Sequence, residues 1–388
     1  MDNKKLLYIV IGLILYIIST VSTYAFFSSG AKHQVAQQAA VAQPTKSADG
    51  SLSFGAGPKT QPCPLNGVLY TQAQEKWWEG HRPLAVMIEN EIDARPQSGI
   101  SFADVTYEAI AEAGITRTMN VFYCQDAGII GPVRSARTYF LDYASEYGNY
   151  PLYAHVGGAN TPGPADALGQ IDDYGWGGYN DMNQFAIGFP VYQRDESRQG
   201  HPVATEHTMY STTTKLWDYA KANRNLTNVD KTGQAWDTNF VKYSFKNDAP
   251  ASSPTASSIT VPFTGDSDYV VQWTYDKATN AYVRDNGGVP HIDRDTNKQL
   301  SAKDIIVLFE TRQSADDGYE NDLHNLYGTF GSGKAEIFMD GTEIRGTWKK
   351  TSRTARTQIF DASGNEVQFD RGHMWFEIAT IGDVITVK

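Results

Sequence analysis

Two arginines, Arg134 and Arg137, stand on either side of Ser135 in the stretch Gly131-Pro132-Val133-Arg134-Ser135-Ala136-Arg137, and His155-Val156-Gly157-Gly158 follows soon after. Guanidinium groups grip carboxylate or phosphate through paired hydrogen bonds, and a helix start adds unpaired backbone N–H groups that attract anions. Ser135 is a candidate N-cap for a helix carrying Tyr139, Phe140, Tyr143 and Tyr147 at near-helical spacing. Pro151–Val156 reads as the next strand, and a strand end followed by glycine lets backbone approach a ligand. Together these residues suggest an anion pocket lined by Arg134, Ser135, Arg137, His155, Gly157 and Gly158, with His207 further along the chain. The competing reading pairs an arginine with an internal carboxylate such as Glu108 or Glu112, and treats His155 as a structural group.

Other chemistry is weaker. Glu108 and Glu112, with Asp104 nearby, share one face of a strand and could act with His155 as the acid–base set of a hydrolase; pairing with Arg117, Arg134 or Arg137 is the plainer account. A cysteine hydrolase on Cys124 and His155 needs a thiolate, which a Cys63–Cys124 disulfide would consume; the sequence leaves that bond open. Ser135 lacks the Gly-x-Ser-x-Gly setting of a hydrolase nucleophile. Asp293, Asp295 and Asn297 imitate the start of a calcium loop, but Lys298 stands where the loop needs glycine, so an ordinary turn explains them as well. No cofactor is called for.

These groups need elements to hold them. Lys4 and Lys5 precede an apolar run from Leu6 to Phe27, and about 20 helical residues span the hydrocarbon core of a bilayer. The run is long for a cleaved signal peptide, so residues 6–27 are expected to be an uncleaved single-pass anchor with residues 1–5 in the cytoplasm and the rest extracytoplasmic. Residues 28–62 are poor in large apolar side chains and read as a flexible tether. Leu84–Ile88 fits a buried strand. Residues 105–123 fit a β-hairpin turning at Ala113-Gly114, with a helix over 103–112 as the alternative. The aromatic, loop-rich stretch 159–200 suits one wall of a cleft, and Ser211 caps a helix through Ala220. Beyond residue 235 nearly every segment reads as β, with turns at Asp340-Gly341 and Ser363-Gly364, and Trp273, Trp348 and Trp375 belong to its core. The expected fold is α+β: a mixed α/β domain over residues 63–235, then a mostly antiparallel β domain over 236–388. A net charge of -11 argues against nucleic acid as a partner.

Read together, Arg82–Ile88, Ala94–Gly99, Ala103–Glu108, Gly114–Arg117, Gly131–Arg137 and His155–Gly158 give the chain a resemblance to the YerB-like family of bacterial extracytoplasmic proteins of unknown function. Tyr275, Tyr282–Arg284, His291, Asp293, Gly341–Lys349 and Gly372–Trp375 extend it to the C-terminal half. The resemblance implies two domains, no established activity and a lipid-bearing cysteine after the signal sequence. That last feature is missing here, since no cysteine follows the apolar run before Cys63, which leaves the helix itself as the anchor. The leading functional expectation is an envelope protein that binds an anionic cell-wall or peptide ligand. The alternatives are a wall-active hydrolase using His155 and a carboxylate, and a structural or regulatory partner of another envelope protein.

Overall fold

Val105, Tyr107, Ala109 and Ala111 alternate with polar or apolar neighbours in Val105–Glu112 (β2), which pairs with Ile115–Phe122 (β3) in a hairpin that turns at Ala113 and Gly114, both at positive φ. The helical alternative for 103–112 is thereby set aside. Leu84–Glu89 (β1) is buried along its whole length and pairs with β3, which explains its unbroken apolar run. Leu152–His155 (β4) lies parallel to β1, and Asp181–Asn183 (β5) lies parallel to β4.

The computed structural model describes residues 2–30, 44–47, 50–319 and 323–388. Its first unit, Met1–Gln43, contains helix α1 (Asn3–Gly30), of which Asn3–Thr23 is long and apolar enough to cross a membrane. Its second unit, Pro44–Lys388, holds everything else. Of the expected tether 28–62, residues 31–43, 48 and 49 lie outside the described residues. The later part is attached to the body: Lys59–Pro62 pairs with Leu69–Thr71, and the Phe54 ring lies 5.0 Å from that of Trp77.

The two expected domains share one sheet. Asp304–Glu310 (β6), Gly331–Met339 (β7), Thr342–Lys350 (β8), Gln358–Asp361 (β9) and Met374–Thr380 (β10) complete a ten-stranded sheet in the order β9-β8-β7-β6-β10-β2-β3-β1-β4-β5. The seam is parallel: β10 lies between β6 and β2, with Met374 opposite Val105 and Glu377 opposite Glu108. A tight two-residue turn joins β7 and β8, Asp340 and Gly341 both having positive φ, as a primed hairpin turn requires. Ser258–Val261, Val271–Asp276 and Ala281–Asn286 belong to a separate antiparallel sheet, and other strands of the C-terminal half pair in two-stranded sheets.

Alternation divides the apolar residues between two cores. Ala85, Met87, Ile306 and Leu308 join Tyr139, Phe140 and Trp348 in one, which also receives α2 (Thr138–Ala144). Val86, Ile88, Ile305 and Val307 join Trp273 and Trp375 in the other, with Leu216 and Trp217 of α3 (Thr213–Arg224). Thr212 rather than Ser211 caps α3, its hydroxyl accepting from the Lys215 N–H. The Ser211 backbone is already paired with Ile130.

Polar groups cross the seam as well. Arg284 is fully buried and donates to Glu108 at 2.6 Å, with its guanidinium 4.9 Å from the Trp375 ring and 5.7 Å from that of Trp273. Glu377, beside Glu108, accepts from the Trp273 indole at 2.7 Å. Burial, reinforced by the Glu108 charge, raises the Glu377 pKa from 4.5 to about 8. Below pH 4.5 this group is protonated whether the chain is folded or not. As pH rises through the interval up to about 8 the unfolded chain ionises first, so folding loses free energy there and the loss levels off above it. Glu377→Gln is expected to remove this component, on the order of 5 kcal/mol between pH 4.5 and 8. Urea unfolding of both proteins at several pH values, followed by tryptophan fluorescence, measures it.

Candidate functional site

The stretch 130–137 is extended, not helical. The Arg134 N–H donates to the Met87 carbonyl at 2.9 Å, the Ala136 N–H donates to Gly157 at 2.9 Å, and Val156 donates back to Arg134 at 3.0 Å. Residues 130–137 are thus threaded between the end of β1 and the exit of β4. This backbone pairing overrides the expected N-cap at Ser135. Helix α2 starts at Thr138, Arg137 occupies the N-cap position without a side-chain cap bond, and the seven-residue helix is wholly buried. The anion-attracting helix start is therefore absent from the site.

The threading nonetheless opens a cleft of about 550 Å³ whose walls include Arg134, Ser135, Gly157, Gly158, Phe185 and Arg194. Four of the seven expected ligand-binding residues meet there. Gly157 has φ +57°, and a Cβ at that position would lie 2.9 Å from the Phe185 ring, so only glycine lets the exposed ring close this wall. The Ser135 hydroxyl makes no hydrogen bond among the described residues. Arg194 donates to the Thr205 carbonyl and, at 3.2 Å, to the Thr208 hydroxyl, and has no ion-pair partner among the described residues. The exposed Glu206 is the carboxylate on the rim.

Behind Arg134 lies a charge network with an excess of cations. Arg134 pairs with Glu89, Arg137 pairs with Glu112, and Arg117 bridges them, 2.8 Å from Glu112 and 3.9 Å from Glu89. Three guanidinium groups thus share two carboxylates. Burial alone would raise the Glu89 pKa, yet His207, Arg117 and Arg134 together bring it down to about 2. His207 sits with Nδ1 3.7 Å from Glu89 and Nε2 3.7 Å from Glu91, and Nδ1 has no hydrogen-bond partner. Glu89 first, then Glu91, raises the His207 pKa.

Three expectations are corrected by this geometry. Arg137 is buried against Glu112 and does not line the cleft. His155 is sealed, with Nε2 2.6 Å from Asp181 and Nδ1 2.6 Å from the Gly157 carbonyl, so it fastens the wall from behind and offers no nitrogen to a substrate. Of the expected catalytic carboxylates, Glu108 is enclosed with Arg284, Asn90 and Thr116, and Glu112 is held by two arginines. Asp293 and Asp295 are likewise engaged. The Asp293 carboxylate accepts from the backbone of Asp295, Thr296 and Ser101, and Asp295 pairs with Arg198. Asn297 takes the positive-φ position of the same turn, as the plainer reading had it.

The pair Cys63–Cys124 is disulfide-bonded, which removes Cys124 as a nucleophile. Arg194 and Glu89 belong to the site although the sequence does not single them out. Arg194 is marked only by membership in a loop with Arg198, His201 and His207, and Glu89 only by ending an apolar strand.

The His207–Glu89 contact can be measured in solution. In protein labelled at histidine, the His207 signal, assigned by its loss in His207→Asn, is expected to titrate above 6.5, and Glu89→Gln is expected to lower its midpoint. A midpoint that Glu89→Gln leaves in place would contradict this assignment of the cause.

Family models for a protein of unknown function, DUF3048, match twice: the N-terminal domain over residues 69–227 and the C-terminal domain over residues 259–376. A curated relative, "Putative lipoprotein YerB" of Bacillus subtilis, is 28% identical over 327 residues, covering 84% of this chain and 88% of its own length. The crystal structure of YerB from Bacillus subtilis matches with a TM-score of 0.68 at 23% identity, covering 84% of this chain and all of that one, and so shares the fold. The matched segments contain β1–β5 on one side and β6–β9 with the start of β10 on the other, so the shared sheet is built from both family domains. The chain belongs to the DUF3048 family of proteins of unknown function.

Proposed function

We propose that the protein is anchored in the cell membrane by helix α1 and holds an anionic cell-envelope ligand in the cleft between Arg134 and Arg194. The observation that carries this reading is the convergence of the two guanidinium groups and an unengaged Ser135 hydroxyl on one cleft, backed by three arginines on two glutamates. An anion entering there balances the excess cation, and Arg194 has no carboxylate to give up first. The disulfide fits an oxidising, extracytoplasmic compartment. The lysines at positions 4 and 5 favour an N-terminus on the cytoplasmic side.

Purified cell-wall sacculi test the binding. The full chain in mild detergent is expected to be retained in a salt-sensitive manner. Each charged hydrogen bond contributes ~1.5–3 kcal/mol, so Arg134→Ala with Arg194→Ala should lower retention at least about tenfold. Unchanged retention in that double variant would refute the reading. A partner protein co-purifying with the unbound chain would favour the structural or regulatory role instead.

Protease added to intact spheroplasts is expected to digest the body while sparing a tag placed before Met1. Loss of the tag with the body protected would reverse the proposed topology.

A further inference from the structure

A second recess lies away from the arginine cleft. The loop Thr351–Thr357 between β8 and β9 is held from beneath by a buried ion pair. Lys350, fully buried, donates to Glu146 at 2.6 Å and also to the carbonyls of Arg353 at 3.0 Å and Ala355 at 2.7 Å. Glu146 in turn accepts from the Thr357 N–H at 3.0 Å and the Thr357 hydroxyl at 2.6 Å. Buried ion pairs give little net stability, because desolvation offsets their attraction. The effect of this one is geometric: it fixes both ends of a short surface loop.

That loop forms one wall of a groove. A cavity of about 470 Å³ lies between Thr351, Ser352, Thr354 and Gln358 on one side and Ser145 and Asn149 on the other. It adjoins a second of about 250 Å³ along Ser145, Asn149 and Thr354, where Tyr174 and Arg353 stand. Together they reach the size of ordinary small-ligand sites, which run from roughly 300 to 1,000 Å³.

The side chains of Thr351, Ser352, Thr354 and Gln358 make no hydrogen bond among the described residues. Each can both donate and accept. Charge is almost absent: Lys350 is matched by Glu146 and Arg356 by Glu366. Arg353 alone has no carboxylate partner among the described residues. Its guanidinium lies 4.0 Å over the Tyr174 ring and donates to the Ser145 hydroxyl at 2.8 Å, leaving further donors for one acidic or carbonyl substituent.

We infer that this groove binds a glycan chain. Sugar hydroxyls donate and accept at every ring, which is what a wall of unengaged hydroxyls and an amide can match. A polyanion would find one unpaired cation, while the apolar part of the wall, Val241 and Ala355 among it, can take the carbon face of a sugar ring. The inference is independent of the arginine cleft.

Calorimetric titration of the full chain, in a detergent without a sugar headgroup, with the β-1,4-linked tetramer of N-acetylglucosamine is the test. Saturable binding is expected, weakened about tenfold or more by Thr351→Val with Thr354→Val and by Arg353→Ala. These changes lie on an exposed loop, and far-ultraviolet circular dichroism with the unfolding midpoint checks that the fold is kept. Arg134→Ala with Arg194→Ala is expected to leave this affinity unchanged. Absence of saturable binding, binding indifferent to the loop variants in folded protein, or displacement of the tetramer by a short wall peptide would overturn the assignment.

Discussion

The parallel seam between β10 and β2 is the constraint on which the rest of the body depends. Strands separated by more than 260 residues become neighbours there, so neither family domain completes its sheet alone. Parallel neighbours bury both faces, and the seam carries polar groups into that interior. Glu108 comes from one half and Arg284 from the other, while Glu377 lies next to Glu108 across the seam itself. Burial, with the Glu108 charge alongside, raises the Glu377 pKa and so favours its neutral form in the folded chain.

The same device, guanidinium groups shared among carboxylates, has a different outcome a few residues away. At the seam the network is enclosed, and Arg284 is paired with Glu108 inside the body. Around Glu89 and Glu112 the arginines outnumber their partners, and Arg134 reaches the surface. The extended passage of residues 130–137 accounts for the difference: its backbone is spent on β1 and on the Gly157–Gly158 exit, so the side chains of Arg134 and Ser135 turn to the cleft while Arg137 turns inward. The groove beside Thr351–Thr357 has a different character, with Lys350 and Arg356 matched by glutamates, Arg353 stacked on Tyr174 and the hydroxyls unengaged.

Local features of this architecture were legible in the sequence. Alternation at 105–122, the turn at Asp340-Gly341 and the burial of Trp273, Trp348 and Trp375 all follow from near neighbours in the chain. The placing of Gly157 and Gly158 beside Arg134 and Ser135 was legible as well, because strand ends and turns announce themselves. Long-range pairing left no such mark. Nothing local distinguishes a strand that closes its own domain from one that joins another, so the shared sheet was hidden. Ser135 had the composition of a helix cap, but the carbonyls of Met87 and Gly157 compete for that backbone. His155 looked like a site residue because of its glycines, and its partner Asp181 lies on a strand that sequence alone did not place.

Whether the cleft between Arg134 and Arg194 holds an anion is decided by crystallography. Crystals of the protein equilibrated with selenate locate the anion by its anomalous scattering. Selenate is expected bonded to both guanidinium groups and to the Ser135 hydroxyl, with Arg134 still on Glu89. A cleft empty of selenate in crystals that bind the anion elsewhere would contradict it.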